Sequence, residues 1–488
     1  DDNKITRLAT TSQDTRTNGL ELIAGEGETR LYINFVYYSS ETDRLDKYIH
    51  TDGVYDKIEQ LEDAIPDTGD FEQKPWKGKT IVLFGDSISE YKGTEDKPWS
   101  DFAEGVLGAT IINCAIGGSK ICRRRAIVPL FSTNDNYAVG DMVFNNPNGV
   151  MCYYTCIEAH SAGSWNGSHF ACAFDKYTPL AVGDMVIHQP SGGSYGLYEC
   201  TTAHSAGNWD DSHFTYVRAA STLSSFFAYA NLDMISMVEA ACSDGEDKYD
   251  TVIAANAFMT AHHIDNNDAI ISAYIAIDWT QVDAVVVMGG ANDFSATNME
   301  SLLNEQNAYD TSKVLGAINS IVRTFCGKYK SIPLYFSTDT VRWFNYGASA
   351  EEINFCDTWY GYKRFDPTKS VAYQEYVVHN PNGDDVFNAY YCKNQNGHQG
   401  EWDAADFNLS KSNVITYTEF FDAIKAEWKK LHIPVIDLYN MLGWTMWNFS
   451  QYFPTNNQTW GYDGTHPRLG FKNIGEYIAR WLIAHKNA

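Results

Sequence analysis

The sequence predicts an α/β fold in which a parallel sheet lies between two layers of helices, with small all-β modules inserted and an N-terminal appendage. Continuous Val, Ile and Leu runs, such as TIVLF and AVVVMG, alternate with amphipathic stretches from Lys77 onward, which is typical of parallel strands covered on both faces. Two segments rich in alternating aromatic residues repeat each other and interrupt that order. The first 75 residues differ in composition from all that follows.

Residues 1–75 are polar and Thr-rich at first and rich in Lys, Asp and Glu towards their end. The run VYDKIEQLEDAI, from Val54 to Ile65, places its apolar residues at helical spacing and predicts a short amphipathic helix. We therefore expect an N-terminal arm that serves oligomerisation or attachment, followed by the α/β core over 76–488.

The core elements follow one another in a regular order. The predicted strands are TIVLFGDS, ATIINCAIGG, VDAVVVMGGAND, SIPLYFSTD and IPVIDLY. The predicted helices are PWSDFAEGVL, a long stretch from Met299 to about Tyr329, TEFFDAIKAEWKKLH and the closing GFKNIGEYIARWLIAHK. Because the carboxyl ends of parallel strands lie along one edge of a sheet, the chemistry of the protein is expected at that edge.

Two segments within the core repeat each other. AVGDMVF from Ala138 returns as AVGDMVI from Ala181, and the string AHSAG follows in both copies. A fainter third copy runs from Glu375. Because each copy is short, with polar turns and alternating aromatic residues, we predict two tandem β modules at 136–219 and a third, divergent one at 370–412.

The copies resemble the chitin-binding type-3 carbohydrate modules, which share the pattern of Gly-Asp, Tyr-x-Cys, Ala-His and Trp. In each copy a tryptophan precedes a phenylalanine by five residues, and these tryptophans are Trp165, Trp209 and Trp402. The resemblance implies that their rings stack on sugars. The same rings could instead form the core of a domain too small to have another, and both interpretations stay open.

Ser87 follows the first strand in a Gly-Asp-Ser turn, a composition that favours turns in any protein. Its partners make it a candidate nucleophile. Asn113 begins NCAIGG after the second strand, GGAND with Asn292 follows a third strand, and DGTHP with Asp463 and His466 precedes the last helix. His466 could take the serine proton while Asp463 fixes the imidazole tautomer. A glycine N–H, the Asn292 amide and the Ser87 N–H could bind the oxyanion of acyl transfer.

The four ordered motifs GDSIS, NCAIGG, GGAND and DGTHP resemble those of the SGNH hydrolases, the GDSL-type esterases and lipases. The resemblance covers about 77–488 apart from the repeats, and it implies a three-layer α/β/α fold. The implied site residues are the catalytic Ser87, Asp463 and His466 and the oxyanion donors Gly118, Asn292 and Ser87. The spacing NxxIxG favours Gly118 over the neighbouring Gly117.

Other polar residues near these motifs have simpler interpretations. Asp86 is expected to stabilise its turn, and Asp293 to brace the loop of the third motif. His262 and His263 in AHHIDNND lack spaced Cys, His or carboxylate partners, so we expect a surface loop and no metal site. Ten cysteines without a CxxC pair predict neither zinc nor a dense disulfide framework, and the expected chemistry needs no cofactor.

The formal net charge of -26 repels nucleic acid and anionic membranes, so we expect neither as a partner. No run of about eighteen apolar residues predicts a transmembrane helix. The chain begins at Asp1 rather than Met, which allows for a removed signal peptide or a further N-terminal region. We expect an extracellular, cell-surface or virion-associated location.

The leading hypothesis is a serine esterase that removes acyl groups, chiefly O-acetyl, from a poly- or oligosaccharide that the modules bind. The alternative is a glycan-binding adhesin or phage tail receptor-binding component, in which the esterase-like core could also be active and the N-terminal arm joins a homo-oligomer. A lipase or lysophospholipase is a third hypothesis, against which no broad apolar lid segment is evident.

Overall fold

The computed structural model describes most of the chain from Pro75 to Lys486. The described residues are 75–90, 97–191, 193–221, 229, 231–294, 302, 304, 306–342, 363–381, 387–445, 448–453 and 464–486. The predicted N-terminal arm, with its amphipathic helix, therefore lies outside the described residues except for its last position.

A five-stranded parallel sheet forms the centre of the fold. Numbered along the whole chain, its strands are β1 (Thr80–Phe84), β2 (Thr110–Asn113), β9 (Ala284–Gly289), β10 (Leu334–Thr338) and β15 (Val435–Ile436). They lie in the order β15-β10-β9-β1-β2, so β1 pairs with both β2 and β9. Every residue of β9 and β10 is buried, which explains their unbroken apolar sequence and confirms the predicted parallel sheet of an α/β fold.

Helices surround this sheet. They are α1 (Trp99–Leu107), α2 (Met234–Cys242), α3 (Asp250–Ala261), α4 (Asp268–Ile275), α5 (Val314–Lys328), α6 (Tyr417–Lys430), α7 (Leu438–Met441) and α8 (Phe471–Ala484). Helix α1 packs on α8, and α5 packs on both α2 and α6. The observed bounds of α1, α6 and α8 agree with those predicted from the sequence to within two residues.

The long helix predicted from Met299 to about Tyr329 is shorter in the structure. Met299 lies outside the described residues, and α5 begins only at Val314. The residues just before it form turns because short polar side chains bind nearby backbone N–H groups. The acceptor and donor pairs are Asn304 Oδ1 with Gln306 N, Asn307 Oδ1 with Tyr309 N, and Asp310 Oδ1 with Ser312 N.

Helices α2, α3, α4 and α7 were not predicted from the sequence, and α7 begins at Leu438 within the predicted strand IPVIDLY, of which only Val435–Ile436 is a strand. In α2, MISMVEAAC, eight of the nine residues are buried, so the helix has almost no polar face. An amphipathic pattern is the signal by which helices are recognised in a sequence, and a helix covered on nearly all sides lacks it.

Two further sheets fall between core strands in chain order. The six-stranded sheet contains β3 (Met142–Asn145), β4 (Cys152–Cys156), β5 (Phe170–Ala173), β6 (Met185–His188), β7 (Gly196–Cys200) and β8 (Phe214–Ala219), in that order. The four-stranded sheet contains β11 (Lys363–Arg364), β12 (Tyr376–His379), β13 (Asn388–Cys392) and β14 (Phe407–Lys411). Below, the first, second and third repeats are β3–β5, β6–β8 and β12–β14.

The three repeats share one turn. In each, an acidic side chain accepts the N–H of the residue three positions earlier: Asp141 from Ala138, Asp184 from Ala181, and Glu375 from Ala372. The residue before the acid has a left-handed backbone, with φ of 100° at Gly140, 92° at Gly183 and 65° at Gln374. The third repeat therefore keeps the turn without the glycine that favours it, which makes its sequence harder to recognise.

His262 connects the first repeat to the helices of the core. It follows α3, and its Nδ1 atom is 3.2 Å from Asp175 Oδ2 while its Nε2 atom is 3.0 Å from the Met151 carbonyl oxygen. Cys152 Sγ is 3.6 Å from the same Nε2. The prediction of a surface loop is thus wrong for His262, which is buried because protein acceptors replace its water, whereas His263 is exposed.

The hydrogen bonds of His262 favour the charged form of its imidazole. Burial alone would lower the pKa of this imidazole, but the hydrogen bond to Asp175 and the contact with Cys152 outweigh burial and raise the pKa to about 10. A doubly protonated ring donates from Nδ1 to the carboxylate and from Nε2 to the Met151 carbonyl.

We predict that His262→Gln lowers the free energy of unfolding by about 1.5–3 kcal/mol near neutral pH, because a charge-assisted hydrogen bond is lost. The folded pKa lies above the ordinary value of 6.5, so the stabilisation is complete below about pH 6.5 and disappears as the pH rises through about 10. Chemical denaturation at several pH values measures the difference. His263→Gln is the exposed control, and a difference that stays constant up to about pH 10 would contradict the ion pair.

Candidate active site

Ser87 and His466 meet at the carboxyl edge of the parallel sheet. Ser87 lies in the turn after β1, and His466 lies shortly before α8. His466 Nε2 is 2.8 Å from Ser87 Oγ, which is a hydrogen bond, and both residues are partly exposed. A neutral imidazole in this position can accept the hydroxyl proton. Asp463, predicted as the third member of the triad, lies outside the described residues.

Gly118 and Asn292 belong to the loops on either side of the Ser87 turn, because β1 lies between β2 and β9. Gly118 has a φ of 74°, a left-handed conformation that favours glycine. Asn292 Nδ2 is 3.0 Å from the Ser119 carbonyl oxygen and 3.4 Å from Asp86 Oδ2. Both hydrogens of this amide already have acceptors, so donation to a substrate oxygen would exchange one of them.

The two adjacent glycine N–H groups differ in their partners. Gly117 N donates to Glu90 Oε1 at 2.6 Å. No acceptor within the described part of the chain takes the N–H of Gly118 or that of Ser87. The geometry therefore favours Gly118 over Gly117 as a donor to a substrate, in line with the spacing of the motif.

Two buried carboxyl groups contact each other beside the Ser87 turn. Asp86 Oδ1 accepts the Ile88 N–H at 3.0 Å, and Asp339, directly after β10, accepts the Ala291 N–H at 2.6 Å. Burial, reinforced by the Asp339 charge, raises the pKa of Asp86 well above its usual range, and burial raises the pKa of Asp339 to about 7. One proton shared by the two groups lets them lie in contact.

Two further carboxylates hold the loop that follows the glycines. Asp293 accepts the N–H groups of Ile121 and Cys122 at 2.9 and 3.0 Å, and Asp233 accepts those of Lys120 and Arg124 at 3.1 and 2.9 Å. Asp293 was predicted to brace the loop of its own motif, and the bonds of its side chain described here fix the neighbouring loop instead. The reason is the position of Asp293 after β9, because its side chain is buried there and faces the loop after β2.

Several alternative chemistries find no support within the described residues. Burial raises the pKa of the Cys114 and Cys122 thiols, so neither is a nucleophile at neutral pH, and the nine described cysteines are free thiols. No described cluster of three or more His, Cys, Asp or Glu residues could hold a metal ion. No described helix is long and apolar enough to cross a membrane.

The three repeat tryptophans each stack on a phenylalanine. The ring centroids are 4.4 Å apart for Trp165 and Phe170, 3.9 Å for Trp209 and Phe214, and 4.2 Å for Trp402 and Phe407. On the second face, His188 stacks on Trp209 at 3.9 Å and His379 packs on Trp402 at 4.3 Å. Asn145 takes the corresponding strand position in the first repeat, so Trp165 has no second stacked ring among the described contacts.

Sequence reasoning missed three acidic residues of this site: Glu90, Asp233 and Asp339. A signal existed for Asp339, which directly follows an apolar strand, as Asp86 and Asp293 nearly do. Asp233 immediately precedes the unpredicted helix α2, and Glu90 lies in the turn of the first motif. Neither has a sequence pattern that distinguishes it from an ordinary surface acid.

Comparisons with known proteins are weak. No protein-family profile and no curated protein matches the chain. Two crystal structures, one of a protein from Lactobacillus plantarum, cover 84% of this chain and 98% of theirs, with 15% and 11% identity and a TM-score of 0.34 each. The structure of a possible lipase from Chitinophaga pinensis covers 42% of this chain and 74% of its own, with 15% identity and a TM-score of 0.22. Such likenesses assign no family and carry no functional argument.

We predict that the free energy of unfolding depends less on pH in Asp339→Asn than in the wild type. The folded pKa of Asp339, about 7, lies above its ordinary 3.8, so the wild-type free energy of unfolding falls as the pH rises between these values. An amide would donate to Asp86 without a titrating proton, which makes the variant about 1–3 kcal/mol less sensitive to pH over that range. Denaturation between about pH 4 and 8 tests this, with exposed Asp101→Asn as control; equal slopes in wild type and variant would refute it.

Proposed function

We propose that the protein is a serine esterase that removes acyl groups, chiefly O-acetyl, from a carbohydrate. The observation that carries the proposal is the 2.8 Å hydrogen bond between His466 Nε2 and Ser87 Oγ at the carboxyl edge of the sheet. The Gly118 and Ser87 N–H groups, together with the Asn292 amide, belong to the same turn and its two neighbours, where an oxyanion would form.

The mechanism follows from these positions. His466 Nε2 takes the hydroxyl proton while Ser87 Oγ attacks the ester carbonyl, and the carbonyl electron pair moves to an oxyanion bound by the donors named above. The intermediate then expels the sugar oxygen, which receives the proton from His466. A water molecule deprotonated by His466 attacks the acyl-enzyme and releases the acid, restoring Ser87. In this proposal Asp463 holds the imidazole Nδ1–H, and no cofactor takes part.

A carbohydrate substrate is proposed on the strength of the aromatic repeats. Among the described contacts the Trp165 ring stacks on Phe170 alone, and an indole with one stacked ring can use its other face for a sugar. Trp209 and Trp402, whose second faces are covered by histidines, suit a role in the core of their repeats better. The proposal therefore narrows the carbohydrate-binding role from three tryptophans to one.

Ser87→Ala is expected to lower kcat/KM for a short-chain nitrophenyl ester, and for acetate release from an acetylated polysaccharide, by about 10³-fold or more, because the nucleophile is lost. Polysaccharide binding should persist in the variant. Ser272→Ala, an exposed serine in α4, is the matched control. Hydrolysis that survives in Ser87→Ala would refute the proposed nucleophile.

The same assays separate the alternatives. A wild-type protein that binds surface polysaccharide but turns over no short acyl ester would favour the adhesin or tail receptor-binding function, in which the N-terminal arm joins a homo-oligomer on a virion or cell surface. Activity that rises steeply with acyl length and with added lipid vesicles would favour a lipase. Turnover confined to short acyl groups supports the deacetylase.

Trp165→Ala is expected to weaken polysaccharide binding by about 10-fold or more, because it removes the indole face that lacks a stacked partner. Trp209→Ala is the matched control and should leave affinity nearly unchanged, since both faces of that ring are occupied. His188→Ala, which uncovers the second face of Trp209, should instead strengthen binding. Calorimetric titration measures all three, and equal losses in the two tryptophan variants would contradict this assignment.

A further inference from the structure

We propose that Glu90 and Arg124 are positioning residues that fix the peptide between Gly117 and Gly118, whose N–H binds the oxyanion. Neither residue touches the substrate in this scheme. The inference rests on the proposed esterase function and extends it to two side chains outside the predicted triad and oxyanion donors.

Glu90 holds the first glycine. Its Oε1 atom accepts the Gly117 N–H at 2.6 Å. A Cβ atom on Gly117 would lie 2.8 Å from Glu90 Oε2, which is closer than such atoms approach in proteins. A side chain at position 117 would therefore move the Glu90 carboxylate away from its observed place beside the backbone.

Arg124 holds the second glycine. Its Nη2 atom donates a hydrogen bond to the Gly118 carbonyl oxygen. The guanidinium is itself fixed, because Nε lies 3.4 Å from Asp233 Oδ1 and the group lies 4.9 Å from the centre of the Tyr229 ring. Asp233 is fully buried and also accepts the Arg124 backbone N–H, so the arginine approaches Gly118 from a rigid support.

The peptide between these two anchors is the one that needs fixing. It joins two glycines, and without a Cβ on either side it can rotate at little cost, so its N–H would point in several directions. Glu90 binds the N–H of the peptide group before this one, and Arg124 binds the carbonyl of the peptide group after it. An oxyanion donor is effective only when its direction is restricted before the reaction. Holding both flanking groups narrows the backbone angles through which the Gly118 N–H can turn.

Steady-state kinetics on a short-chain ester test the proposal, with rates referred to active sites counted by phosphonate labelling of Ser87. Glu90→Ala is expected to lower kcat by about 10- to 100-fold with KM changed less than about 2-fold, since only transition-state binding is lost. Glu90→Gln, which still accepts the Gly117 N–H, should restore kcat to within about 3-fold. The kcat of Arg124→Lys should lie between those of wild type and Glu90→Ala, because lysine lacks the planar guanidinium fork.

Matched controls and a second measurement test the positioning role separately from the proposed esterase function. Two control variants should leave kcat unchanged. Glu246→Ala changes an exposed residue, and Arg323→Ala removes an arginine that lies 4.8 Å from the Tyr309 ring. Hydrogen exchange of the Gly117 amide, measured without any substrate, should accelerate by about 10-fold or more in Glu90→Ala.

The outcomes are distinguishable. Unchanged kcat and unchanged exchange in Glu90→Ala, with Ser87→Ala inactive, would overturn the positioning role while leaving the esterase intact. A wild type without any ester turnover would overturn the proposed function. If Gly117 amide exchange were then also the same in Glu90→Ala as in wild type, the anchoring by Glu90 would be overturned as well. Loss of kcat in both Glu90→Ala and Glu90→Gln would show that the charge acts rather than the hydrogen bond, which also refutes the proposal.

Discussion

Buried carboxyl groups that bind the backbone of loops other than their own are the constraint on which the candidate site depends. Asp339, after β10, binds the loop after β9, and Asp293, in the loop after β9, binds the loop after β2. Asp86, after β1, contacts both Asp339 and the Asn292 amide. The loops after β1, β2, β9 and β10 are thereby tied to one another by polar contacts of buried side chains.

This arrangement has an energetic cost. A carboxyl group taken out of water is destabilising unless donors surround it, and two such groups in contact must keep a proton. The backbone N–H groups at the loop ends provide the donors. The buried carboxyl groups and the loop N–H groups thus satisfy each other's hydrogen bonds. These bonds restrain an edge of the sheet that contains left-handed glycines, among them Gly118 and Gly290.

Local patterns in the sequence were sufficient for the core strands except the end of the last one, for three of the helices and for the meeting of Ser87 with His466. Unbroken apolar runs are typical of buried parallel strands, and the order of the four motifs assigns each to one loop. What failed depended on distant contacts. The burial of His262 depends on Met151, which is 111 positions away, and no local pattern reports such a partner. Helix α2 was missed because its burial leaves no periodic polar face.

The parallel pairing of β5 with β6 makes the first and second repeats one sheet. Tandem domains are usually joined by a flexible linker, which lets each domain find its own site at an entropic cost. Here duplication has left no hinge, and the distance between the two copies is as invariant as that between neighbouring strands. The spacing of the two copies therefore cannot adjust to a partner, and the second copy adds no reach to the first.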